Sequence, residues 1–499
     1  MTAHAEEPKL PNEPHVLRDT AVDLLDVADA FDVGDDFDIN LRLSFDYESR
    51  SAAVRRETNI AQTGLTTGGY LTDSMDVSTY YESTQRLIPE VNIGIFRDIA
   101  LSVRMPVILS NNRRLEEKGG SAGQPLATSG LIGEQLFSPN FKSPTRSGIE
   151  YLALGLDWGV MNQFRNAARP NWTIGVEGRF NVSTPLRACN AAPDEDKMQC
   201  ANEADIDRNG ENDPLGDEFG PLAGDNEGNF SSGEQKPGVS RGTTGLEAHA
   251  YVSKRLSYIE PYTGVSALFE FQNSNTAYGP FNLEGSLVNH PPLRGSLVAG
   301  VAIIPWEQPE KFRRISIDLR VKGTYVSEGR DYSELFDALG SSQASSMRRP
   351  NYASYTANEN VNDWDTTPSV VDETSSRVNS TGLTDVQQYG DYELKAQFTW
   401  QASQYVKFDL GGAWRIMQEH FITFDQACNP DITQQLARSG PCKIDEGTSP
   451  GDSGGQNQNW KAGGLPNPNH RKVINDPGQR FKVDTSQGAR AWVRASVLF

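Results

Sequence analysis

"FDINLRLSFDY" (residues 37–47) alternates without a break: Phe37, Ile39, Leu41, Leu43, Phe45 and Tyr47 share one side, and Asp38, Asn40, Arg42, Ser44 and Asp46 share the other. Period two is the rhythm of a strand that shows one face to an apolar medium and the other to a polar one. The chain closes on the same rhythm. In "ARAWVRASVLF" (489–499) the odd positions are Ala489, Ala491, Val493, Ala495, Val497 and Phe499, and the even ones carry Arg490, Trp492, Arg494, Ser496 and Leu498. A half-buried soluble sheet has this rhythm too, so the decision rests on what lies between.

Between these stretches the alternation returns near 87–95, 99–109, 152–158, 172–182, 246–252, 259–271, 293–305, 315–325, 392–400 and 406–416, which makes twelve strands. The joints alternate in length. Short ones fall at 96–98, 159–170, 253–257, 306–313 and 401–404; long ones fall at 49–77, 111–146, 183–242, 274–292, 327–386 and 425–478. The long ones are rich in Gly, Asn, Asp, Ser and Pro, which are loop residues. A soluble multidomain chain has no reason to lengthen every second connection. A barrel with short turns on one side of a membrane and long loops on the other does, and an even strand number returns both ends to the short-turn side. Large aromatics also flank the short joints: Phe96, Trp158, Trp172, Tyr258, Trp306, Phe312, Trp400, Tyr405 and Phe499. Such rings favour the headgroup zone, where an apolar body and a polar edge are both accommodated.

Composition taken alone points elsewhere. The 499 residues carry a net charge of −20 and a mean hydropathy of −0.54, the profile of an acidic soluble protein. No run approaches the ~18–20 apolar residues of a membrane helix. A transmembrane barrel escapes this test, because lipid-facing and lumen-facing residues cancel in the average. The acidic balance argues against nucleic acid as a partner, since phosphate needs a basic footprint.

Residues 36–499 resemble a Gram-negative outer-membrane β-barrel, closest in layout to twelve-stranded porin-like transporters. The resemblance implies an all-β, closed, antiparallel up-and-down barrel over 35–499, surrounded by outer-membrane lipid and lipopolysaccharide. Phe499, with Val497 and Val493 on its face, resembles the C-terminal signal read by the barrel-insertion machinery. Residues 1–34 form a separate periplasmic or lumenal segment. In "VLRDTAVDLLDVADAF" (16–31) Leu17, Ala21, Leu24, Leu25, Ala28 and Phe31 recur at helical spacing, and Asp19, Asp23, Asp26 and Asp29 avoid that stripe. This predicts a short amphipathic helix, which either plugs the lumen or docks a partner, or else covers the periplasmic mouth. Ala3-His4-Ala5 has the small-residue spacing of a signal-peptide cleavage site. Pro89 and Pro106 each remove a ladder donor from adjacent strands, so a bulge or kink is expected there.

The inward faces carry both signs of charge. Asp36, Asp38 and Arg42 lie on the first strand, Glu177 and Arg179 on the fifth, Asp318, Arg320 and Lys322 on the ninth, and Arg490 and Arg494 on the last. Closure is expected to set Arg490 and Arg494 facing Asp36 and Asp38. Eight strands enclose a filled interior and sixteen to eighteen leave a channel, so at twelve the side chains decide. Two readings follow: a narrow conduit whose charges select small solutes, or a ladder of ion pairs that stiffens a nearly closed lumen.

Two loops carry further signals. "DIDRNGENDPLGDE" (205–218) resembles the calcium loops of EF-hand and thrombospondin type-3 modules. Asp205, Asp207, Asn209, Glu211, Asp213 and Asp217 would supply the hard oxygens that calcium takes. The loop departs from the pattern at its twelfth position, where Gly216 replaces a bidentate Glu, and no flanking helices are evident. The other reading is an acidic, solvated loop. Cys189 with Cys200, and Cys428 with Cys442, lie close enough in sequence for two local disulfides in an oxidising compartment, the other reading being free thiols. "GDSGG" (451–455) copies a trypsin-like nucleophile segment but sits among loop residues without a matching His, and His249 and His420 have no G-x-S-x-G beside them. No enzyme is expected. The function implied is a channel for small solutes through a narrow charged lumen. The alternative is an anchor that displays disulfide-tied acidic loops for adhesion or envelope-complex assembly.

Overall fold

The computed structural model describes residues 20–32, 35–61, 70–118, 127–130, 134–164, 166–191, 199–201, 230–232, 236–273, 276–278, 290–342, 344–347, 349–350, 377–378, 381–423, 443–445, 460–462, 472–475 and 477–499. Its barrel strands are β1 (Ile39–Ala61) and β2 (Tyr70–Phe96). β3 runs Ile99–Arg104 and then Val107–Glu117, and β4 runs Arg146–Ile149 and then Leu152–Met161. β5 is Asn171–Phe180, β6 is Thr243–Ser253, β7 is Ile259–Gln272 and β8 is Arg294–Gln308. β9 (Arg313–Val326) continues in Gly329–Asp331, and β10 joins Thr384–Val386 to Tyr389–Ser403. β11 joins Val406–Met417 to His420–Thr423, and β12 joins Phe481–Val483 to Ser486–Leu498.

Each strand pairs antiparallel with the next, and β12 returns to β1 to close an up-and-down barrel of twelve strands. The closing register is set at the end of the chain. Phe499 N–H donates to Ile39 O at 3.0 Å and Ile39 N–H to Phe499 O at 3.1 Å. Counting from that pair, Arg494 falls opposite Ser44 and Arg490 opposite Glu48. The short turns are tight enough to hold Arg97, Ser257 and Phe312 at φ of 48°, 56° and 51°.

The two prolines disturb the ladder where expected. β3 breaks at Met105 and Pro106, and the missing donors are worked around: Met105 N–H reaches Pro89 O at 3.2 Å and Glu150 N–H reaches Pro106 O at 2.9 Å. The register against β2 then slips, from Gln85 opposite Ser110 to Arg86 opposite Ile108, so Leu109 is bulged out.

Polar composition misled in one place. β1 and β2 are 23 and 27 residues long, against the about 9–11 needed to cross a bilayer. Much of the expected loop at 49–77 is therefore strand that continues beyond the membrane, with ion pairs such as Arg55–Asp76 (3.0 Å) across it; β12 follows β1 as far as Arg56, and the β1–β2 pair runs on to Ala61 and Tyr70. Its inward Ala52, Val54, Val77 and Tyr80 are covered by chain that folds over this end of the barrel, so the extension does not leave them to water.

The described parts of the other long connections fold over the same end of the barrel. Leu136, Phe137 and Phe141, helix α1 (Phe336–Gly340) and Val473–Ile474 form one buried cluster with Val54, Tyr80, Leu115, Ile422 and Phe481 from the strand tops. Beside it, Cys189–Asn190, Gln199–Ala201 and Phe230–Ser232 make a small sheet in which Cys189 and Cys200 face each other and are disulfide-bonded. Cys428 and Cys442 lie outside the described residues.

The N-terminal segment does not form the predicted helix. Among the described residues of 16–31, only Asp23–Leu25 is helical, a single 3-10 turn, and Ala30–Asp32 pairs as a short hairpin with Asp35–Phe37. An amphipathic helix needs an apolar floor for its stripe. This segment enters the lumen, whose wall is largely ionic, and its aspartates find stronger partners there than solvent.

Candidate functional site

The outside of the barrel is apolar along its whole circumference. The aromatics beside the short turns point outward: Trp158 is 48% exposed, Tyr258 71% and Phe499 61%. A second exposed ring, which the sequence reading missed, lies at the loop end: Tyr47, Phe180, Phe271, Tyr325, Tyr392 and Trp414. Its signal was present as a spacing, since Trp172 and Phe180, like Tyr392 and Trp400, stand eight residues apart on one face. At about 3.3 Å per residue, and allowing for strand tilt, that spacing is about 20 Å. Between the rings the exposed side chains are Leu43, Leu101, Leu156, Val265, Leu319, Leu410 and others like them. Water does not tolerate an apolar belt of this extent. Two aromatic girdles around an apolar band, on a closed barrel of even strand number, answer to lipid.

The chain is a transmembrane β-barrel.

No family model matches it, and no curated protein matches it in sequence. Among solved structures it is similar to a Pseudomonas aeruginosa FadL homologue, at 8% identity over 92% of this chain and 90% of that one, with a TM-score of 0.31. It is similar also to an outer membrane channel from Pseudomonas putida F1, at 9% identity over 94% and 97%, TM-score 0.31. The outer membrane protease OmpT from Escherichia coli is a third, at 8% identity over 92% and 95%, TM-score 0.23. Likenesses this loose leave the lumen to be read from this barrel's own residues.

Inside the barrel is a cavity of about 450 Å³, lined by eight basic and eight acidic side chains. Arg42, Glu177, Arg179, Arg320, Lys322, Arg490 and Arg494 all line it. Arg104 and Arg179 converge on Glu177 at 2.6 and 2.8 Å, and Arg179 also meets Glu247. Asp318 is bonded by Arg320 (2.9 Å) and by the Tyr262 hydroxyl (2.5 Å). Arg490 Nε donates to Asp46 at 3.1 Å, and Arg494 Nε donates to Ser44 Oγ at 3.1 Å. These are not the partners expected from sequence. Asp38 is buried near the short-turn end, where its N–H donates to Asp29 O at 3.2 Å, well down β1 from both arginines. The side chain of Asp36 lies outside the described residues.

The N-terminal segment seats its carboxylates among these cations. Asp23 is bonded by Arg320, with Lys395 at 3.3 Å and Arg494 at 3.7 Å. Asp26 meets Arg42 at 2.5 Å and Lys407 at 3.7 Å. Ahead of them Thr20 Oγ1 donates to Glu260 at 2.5 Å and Ala21 N–H to its other oxygen at 2.9 Å. Val22 and Leu25 pack on Tyr262 and Ala302. Gly94 shows how closely wall and segment fit, because a Cβ there would stand 1.7 Å from Asp29 O. Burial alone would push the Asp23 carboxyl up; the guanidinium of Arg320, then Lys395 and Arg494, more than offset it and hold the group well below the ordinary 3.8. Asp23 is therefore ionised in its seat.

Sequence reading marked Asp23 and Asp26 as the polar side of a helix and overlooked Lys407 as a lumen residue. The alternation places Lys407 inward, opposite Ser496, but nothing local assigns it a partner on the N-terminal segment. The calcium candidates Asp205, Asp207, Asn209, Glu211, Asp213 and Asp217 lie outside the described residues. Among the described residues, no group of three or more His, Cys, Asp or Glu could hold a metal ion.

Proposed function

We propose that the barrel is an outer-membrane channel for small solutes, closed at rest by its own N-terminal segment on one side and by the loop cap on the other. The observation that carries this is the character of the closure. A lumen filled for stability alone would be packed by wall side chains, whereas here the wall leaves a charged cavity and a separate strip of chain occupies its mouth through ion pairs. Ion pairs exchange for water and solute more readily than a close-packed apolar plug does.

Planar bilayers test the reading. The full-length barrel is expected to be silent or to open rarely, and a variant lacking residues 1–28 is expected to show stable single-channel steps. Because the Asp23 carboxyl is held below 3.8, its docking contribution is whole at neutral pH, begins to fall only as the pH drops through the ordinary 3.8, where the undocked carboxyl protonates, and is gone once the docked carboxyl protonates too. Lowering the pH from 7 to about 4 should therefore not open the full-length barrel. Silence of both proteins, with heat-modifiable mobility intact, would end the channel reading.

A second reading has one observation in its favour: the cap has its own hydrophobic cluster and a disulfide-bonded sheet, more structure than a loose pore mouth needs. In this reading the barrel anchors loops that bind lipopolysaccharide, another cell or calcium. If calcium orders 205–218, it should slow proteolysis of the 183–242 loop, and indifference to chelator would discard the metal.

A further inference from the structure

We propose that Asp23 and Asp26 occupy the seat of the transported solute, and that the lumen selects small organic anions that carry two carboxylates on a hydrocarbon body. The inference rests on the channel reading and names its substrate class. Its first support is the charge count. Of the eight acidic side chains around the cavity, Asp23 and Asp26 come from the plug, so the wall alone presents eight basic groups against six acidic ones. When the segment leaves, the lumen loses two negative charges, while Asp318 and Asp409 stay on the wall beside Arg320 and Arg494.

The second support is where that excess sits. Arg104, Arg179 and Arg490 keep wall carboxylates whatever the plug does. Lys395 and Lys407 make their described ion pairs with plug carboxylates alone, at 3.3 Å to Asp23 and 3.7 Å to Asp26. Arg42, Arg320 and Arg494 divide themselves between wall and plug. Two ammonium groups and three shared guanidinium forks are thus released together. Guanidinium forks bind carboxylate in two-point fashion.

The third support concerns the body of the ligand. Val22 and Leu25 lie against Tyr262 and Ala302, with Tyr251 alongside, so an apolar strip runs beside the cations. A bare inorganic anion would leave that strip wet. A dicarboxylate with several methylenes covers it and meets the cations at its ends, as the plug does.

The test uses the variant lacking residues 1–28, and beside it the full chain carrying Asp23→Asn and Asp26→Asn, which keeps the segment. Isothermal titration with adipate reads the seat without needing current. Saturable binding to both variants, at least about tenfold tighter than to the unmodified barrel, is expected. Lys395→Met with Lys407→Met in the truncated variant should weaken it about tenfold. In bilayers under a potassium chloride gradient, the truncated variant should be anion-selective, and adipate should block the chloride current at lower concentrations than inorganic phosphate does. Absence of adipate binding, a cation-selective current, or phosphate acting as well as adipate would overturn the inference. Adipate binding without any current would uphold the seat and count against the channel reading alone.

Discussion

Replacing Asp337 by alanine is expected to cost the external cap about 3–5 kcal/mol, the penalty for leaving a buried charge without its partner. Asp337 sits on α1, and its carboxylate accepts from Arg146 at 2.6 Å, from Ser143 Oγ at 2.8 Å and from the Cys189 N–H at 3.0 Å. These groups come from separate stretches of chain, so one side chain ties α1 to β4 and to the disulfide-bonded sheet. The Arg146 side chain is 1% exposed and cannot turn to solvent. Its remaining contacts to the carbonyls of Arg187 and Pro237, at 2.8 and 3.4 Å, are neutral and do not compensate a full charge. Limited proteolysis of folded barrels in lipid reads the effect: loop cleavage should quicken at least a hundredfold while the strands stay resistant. Exchanging both partners, with Arg146→Met and Asp337→Leu, should recover much of the loss, because replacing a buried pair by apolar groups is often neutral. Unchanged cleavage in Asp337→Ala would show that this knot does not hold the cap.

Replacing Leu319 by arginine should destabilise the folded barrel by about 2–4 kcal/mol, the cost of a charge on the lipid face near the bilayer midplane. Leu319 is 43% exposed in the middle of β9, and its neighbour Arg320 is a lumen residue only 7% exposed. The same side chain is thus tolerated one position along the strand and rejected at the next, because successive residues meet opposite media. Urea titration of the barrel in lipid vesicles, followed by heat-modifiable mobility, gives the difference. Equal stability of Leu319→Arg and the unmodified protein would mean that this face does not touch hydrocarbon.

Both predictions concern features of unequal visibility in the sequence. Leu319 outward and Arg320 inward can be read directly from alternation, as can all twelve strands and the ring of aromatics beside the short turns. The knot at Asp337 could not be read. Leu335, Leu339 and Met347 stand in a stretch whose Gly, Ser and Asp content reads as loop, and their burial depends on Phe137, Ile474 and Phe481, which are remote in the chain. The closing register escaped for a related reason. Alternation places Arg490 and Arg494 inward but says nothing of the stagger between β12 and β1, and Phe499 pairing with Ile39 moves both arginines away from Asp38.

The sequence by itself determined the strands, their number, the inward or outward direction of each side chain and the side of the membrane on which the loops gather. These follow from a local rule: every second residue meets lipid and must be apolar. Only the tertiary structure decided that the N-terminal segment lies in the lumen instead of forming a helix, that Asp23 and Asp26 meet Arg320, Arg42, Lys395 and Lys407, and that the described parts of the long loops share a core. Those outcomes depend on which charges and apolar surfaces the closed wall brings within a few ångströms of one another, and no window of the chain contains both partners.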